Sequence, residues 1–64
     1  MDKKLNELGQ AQVDYLRMKM ESFLHIAECY EARGDVVMYE KAMTKAEEKQ
    51  NEMVKIKSMK SFWI

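Results

Sequence analysis

The dipeptide Gly34-Asp35 divides this chain near its midpoint, and the residues on both sides carry helical patterning. The 64 residues contain no proline, and Gly9 is the only other glycine. Glycine adopts the left-handed conformation that ends a helix, and aspartate caps the first amides of the next one. The pair therefore predicts an all-α fold, a two-helix antiparallel hairpin occupying residues 1–64 as a single domain.

Asp2 is the candidate cap of a first helix over about residues 3–33. Gly9 falls inside that helix and costs about 1 kcal/mol relative to alanine. The opening turns are accordingly expected to fray, or the ordered helix to begin near Gln10. At 100° per residue, Leu5, Leu8, Val13, Tyr15, Leu16, Met20, Phe23, Leu24, Ile26, Ala27 and Tyr30 share one half of the cylinder. A coiled-coil seam would be narrower, so this breadth predicts more than one helical neighbour.

The second helix is expected from Val36 to about residue 60. Val36, Tyr39, Ala42, Met43, Ala46, Met53, Val54 and Ile56 form its apolar face, on which Ala42 and Ala46 permit close approach. Lys49, Gln50 and Lys57 intrude, although lysine stems can lie on apolar surface with the charge in water. From Val54 onward the alternation of apolar residues with lysine and serine has a strand period. A less regular aromatic tail is expected there, with Phe62, Trp63 and Ile64 closing the open end beside Leu5 and Leu8.

A domain this small buries only about 60% of the surface its unfolded chain exposes. Cys29 is the single cysteine, so no disulfide can reinforce the chain internally. A lone thiol suits a reducing, cytoplasmic setting. The reinforcement that fits is another chain: a homodimer closing a four-helix bundle, or a larger helical partner. The residues expected to meet it are Tyr15, Met18, Phe23, Ile26, Tyr30, Tyr39, Met43 and Trp63. Of the methionines, Met20, Met43 and Met53 are expected in the hairpin core, and Met18, Met38 and Met59 at an intermolecular face.

With Gly34 set on a turn, Phe23 opens the preceding helix, Ile26-Ala27 and Tyr30 follow at helical spacing, and Asp35-Val36 come after it. Met43 and Ala46 then take large and small positions on the second helix. This stretch resembles one tetratricopeptide repeat, the helix-turn-helix unit of protein-binding solenoids. It departs from that pattern at Tyr39, where alanine is preferred, and at Asn51, where proline ends the repeat. A single repeat cannot bury its own faces, so the resemblance implies a hairpin that completes a larger helical array. Ala27-Glu28-Cys29 and Ala32-Arg33-Gly34 also resemble the turn region of the small hairpin co-chaperones of type III secretion needles. Those dock on a larger tetratricopeptide-fold chaperone, which implies an adaptor or chaperone role.

Chemistry is expected to be absent. His25 and Cys29 stand four apart, the spacing of two metal ligands; a tetrahedral site needs four, and with no second histidine or cysteine in the chain it would take a two-fold dimer to supply a His2Cys2 set across its axis. Met18, Ser22, His25 and Cys29 read more simply as a second stripe suited to a helix from another chain. No base-nucleophile-oxyanion arrangement is visible, so neither catalysis nor a cofactor or metal is expected. Glu47, Glu48 and Glu52 alternate with lysines as a solvated face.

The expected function is a non-enzymatic protein–protein interaction module acting as adaptor, co-chaperone or inhibitor. The alternative is a dimeric hairpin binding RNA or DNA through Lys41, Lys45, Lys49, Lys55, Lys57 and Lys60. A net charge of zero and the acids among those lysines argue against it. No apolar run approaches the roughly 18 residues of a membrane span.

Overall fold

The computed structural model describes residues 4–63. Two helices, α1 (Glu7–Arg33) and α2 (Val36–Ser58), pack against each other as a hairpin, followed by a 3-10 turn, Lys60–Phe62. The resulting rod measures 47 × 18 × 14 Å.

The turn is built locally. Gly34 sits at φ 76°, and its N–H donates to the Glu31 carbonyl while the Asp35 N–H donates to that of Tyr30. These two bonds are a Schellman closure, which needs the left-handed residue. The Asp35 carboxylate then accepts from the Met38 amide at 3.1 Å, capping α2.

The open end differs from the sequence expectation. The proposed cap at Asp2 and the packing of Ile64 lie outside the described residues. α1 starts at Glu7, because Asn6 caps it by accepting the Gly9 N–H at 2.8 Å. The Asn6 amide nitrogen reaches the Ser61 carbonyl at 3.1 Å, and the Asn6 backbone N–H donates to Phe62 at 2.6 Å. Leu5 and Trp63 pair as one antiparallel bridge. The strand period of the tail is thus realised in a single bridge, and α2 stops at Ser58, just short of residue 60. Gly9 does not fray α1; it is buried beneath Phe62. Leu8, expected under the tail, instead points away and is 62% exposed.

The core is thin. Val13, Leu16, Ala27, Ala42, Ala46 and Met53 are buried, with Leu5, Met20 and Ile56 packed beside Val13, Leu16 and Met53. The alanines allow the helices to approach closely near the turn. Met53 is buried as expected, but Met43 is not a core residue; it is 37% exposed. It lies off the contact stripe, and one neighbouring helix covers only a stripe of the cylinder. Lys49 is half-buried and extends its amine to Glu52 at 3.4 Å, which accommodates its intrusion on the apolar face.

Candidate protein interaction surface

Two long grooves flank the line where α1 meets α2. One is lined by Phe23, Ile26, Tyr30, Met38, Ala42 and Lys45, and continues toward the open end along Tyr15, Leu16 and Ile56. The segment at Tyr15 encloses about 540 Å³. The other is lined by Met20, Leu24, Tyr39, Met43 and Gln50, with a volume of about 580 Å³. The stripe geometry explains both. The helices meet through Val13, Leu16, Ala27, Ala42 and Ala46, so the apolar residues to either side overhang the contact rather than enter it.

The expected partner residues are therefore distributed rather than gathered. Tyr15, Phe23, Ile26 and Tyr30 lie along the first groove, and Tyr39 and Met43 line the second. Met18 lies on the back of α1, away from α2, and is 58% exposed. Tyr15 is 55% exposed, whereas Phe23, Tyr30 and Tyr39 are half-buried. Trp63 belongs to the clasp: it is half-buried, pairs with Leu5 and donates its indole N–H to the Lys57 carbonyl at 2.6 Å. The methionines assigned to an intermolecular face divide similarly, Met18 and Met59 being exposed and Met38 half-buried.

The two flanks differ in charge. On the first, the Lys19 amine stands 5.6 Å from the Tyr15 ring centre, and the Lys45 amine 5.9 Å from that of Phe23. The Arg33 guanidinium lies 5.9 Å from the Tyr30 ring. These distances suit cation–π attraction, so the cations sit on the aromatic edge. The other edge of α1 carries Glu7, Asp14, Glu21 and Glu28, all exposed. The even seven-residue recurrence of these acids is legible in the sequence, and attention to apolar positions alone misses it.

His25 and Cys29 are both exposed on the back of α1. Among the described residues, no group of three or more His, Cys, Asp or Glu side chains converges as a metal-ligand set. No helix among them is long and apolar enough to cross a membrane. The hairpin is compatible with a tetratricopeptide-like helical fold, although both helices extend well beyond Phe23–Ala46. No protein-family model, curated protein or solved structure matches the chain.

Proposed function

We propose that this protein is a non-enzymatic helical interaction module whose apolar surface is completed by another chain. One observation carries the reading: the exposed apolar surface is large relative to the core. Leu8, Tyr15, Met18, Ile26, Val36, Val37, Met43, Val54 and Met59 are all exposed. Among the described residues the buried apolar set is six, three of them alanine. Isolated surface hydrophobes are normal, but contiguous ones lining grooves are characteristic of interaction sites. Methionine and tyrosine supply adaptable and amphipathic contact area there. A role as adaptor, co-chaperone or inhibitor is in keeping with this reading and with the tetratricopeptide likeness, and the lone Cys29 suits a cytoplasmic setting.

A photo-reactive amino acid placed at Tyr15, Met18 or Ile26 in the native host tests the proposal. Covalent adducts, to the same chain or to another, are expected at these positions and not at Asn51, which is exposed on α2 and lines neither groove. An absence of adducts at every one of the three, with the protein expressed and folded, would reject the module reading.

A further inference from the structure

We propose that the completing chain is a second copy of this protein, docked parallel and in register through the back of α1. This rests on the interaction-module reading and specifies its partner. The back of α1 carries Leu8, Ala11, Tyr15, Met18, Ser22, His25 and Cys29. Their spacing alternates between three and four residues, all seven are exposed, and none is an acid or a strong base. In a chain with 34% charged residues, this uncharged line has the three-and-four spacing of a coiled-coil seam, with two polar positions, Ser22 and His25. Its centre, Met18 to Cys29, lies opposite the stripe of Val13, Met20 and Ala27 that meets α2, while Ala11 and Tyr15 also border the first groove and remain exposed. Ala11, Ser22 and Cys29 are small and allow close approach, while Leu8, Tyr15 and Met18 supply apolar area.

Charge selects the occupant and its direction. One side of the seam is bordered by Glu7, Asp14, Glu21 and Glu28, the other by Gln12, Lys19, Ile26 and Arg33. In a parallel pair of coiled helices, each residue of the first border meets the residue five positions later in the second border of the mate. Asp14 then faces Lys19 of the second copy, and Glu28 faces its Arg33. Glu7 and Glu21 face the uncharged Gln12 and Ile26. An antiparallel pair would instead set acid border against acid border, Glu7 against Glu28 and Asp14 against Glu21. Like charges so placed repel. Near the turn the asymmetry continues onto α2, where Lys41 and Lys45 line the groove on the basic side and Glu40 and Glu47 the groove on the acidic side; toward the open end Glu52 joins the first side, and Arg17 and Lys57 the second. A two-fold axis along the helices brings the basic flank of each copy beside the acidic flank of the other.

Cys29 reports the geometry. In the parallel pair it meets its own counterpart across the axis, within the Cα separation of roughly 4.4–6.8 Å that a disulfide requires. The purified full-length protein is examined by sedimentation equilibrium and by mild oxidation at matched concentration. A dimer that converts to a disulfide-linked species is expected, while a Cys29→Ser, Asn51→Cys variant remains unlinked. Lys19→Glu should weaken the dimer about tenfold at low salt, and adding Asp14→Lys should restore it. A strict monomer, a dimer that does not link at Cys29, or equal linking at position 51 would overturn the parallel pair. Each leaves the broader module reading to its own photo-cross-linking test, which can still succeed through a different partner.

Discussion

A Cβ added to Gly9 would stand 2.8 Å from the Cβ of Phe62. The glycine in the first helix is therefore the floor on which the C-terminal aromatic turn rests. Replacing glycine by alanine inside a helix ordinarily stabilises it by about 1 kcal/mol. Here Gly9→Ala is expected to lower the melting temperature, because the displaced atom is close to the Phe62 backbone and cannot rotate aside. The same substitution in a chain ending at Met59 should raise it. Thermal unfolding of the two pairs checks the change of sign; stabilisation in the full chain would show that the tail does not press on α1.

Asn6 acts on both termini. Its carbonyl oxygen caps α1, and its amide nitrogen bonds to the Ser61 carbonyl. Loss of an N-cap costs about 0.5–2 kcal/mol. Asn6→Ala is expected to reach the upper part of that range because it also removes a link to the tail. Asn6→Asp retains the capping oxygen but places an anion toward the Ser61 carbonyl. It should preserve helicity by circular dichroism while red-shifting Trp63 emission as the tail loosens.

At the turn, nothing lies within 4 Å of a Cβ built on Gly34, so the backbone angle alone opposes substitution there. Gly34→Ala is expected to cost about 1–2 kcal/mol, the penalty of an L-residue in the left-handed region. Gly34→Asn should cost less, since asparagine tolerates that region better. Urea unfolding of both variants measures the difference, and equal losses would count against a conformational origin.

Ala27 and Ile26 are neighbours with opposite exposures. Ala27 is 1% exposed between the helices, whereas Ile26 is 42% exposed. Enlarging a packed site costs about 1–3 kcal/mol, so Ala27→Leu should destabilise by that amount. Ile26→Ser, at a site only partly covered, should cost a dilute protomer no more than about 1 kcal/mol. Chemical denaturation at low protein concentration separates the two, and a large loss for Ile26→Ser would place that side chain in the core.

The Gly34-Asp35 turn was legible because every interaction that forms it lies within a few residues: one positive φ, two closing bonds and one cap. The helical character of both arms was likewise written in the three-and-four spacing of apolar residues and the absence of proline. The candidate surface was legible in part. Periodicity set Met18 on a second stripe apart from the main apolar face, but could not divide Tyr15, Ile26 and Met43 between the two grooves. That division depends on where the second helix lies, and the helical wheel of the first contains no such information.

The amino-acid sequence by itself determined two helices, the point at which the chain reverses, and a larger apolar surface than one neighbour can cover, since these follow from backbone conformation and 3.6-residue periodicity. Only the tertiary structure decided how the termini meet. The bond from Asn6 to Ser61 spans 55 residues, and the burial of Gly9 under Phe62 exists only once the hairpin has closed. Tertiary packing also placed Met43 outside the core, because two cylinders touch along a stripe and leave the rest of each apolar face uncovered.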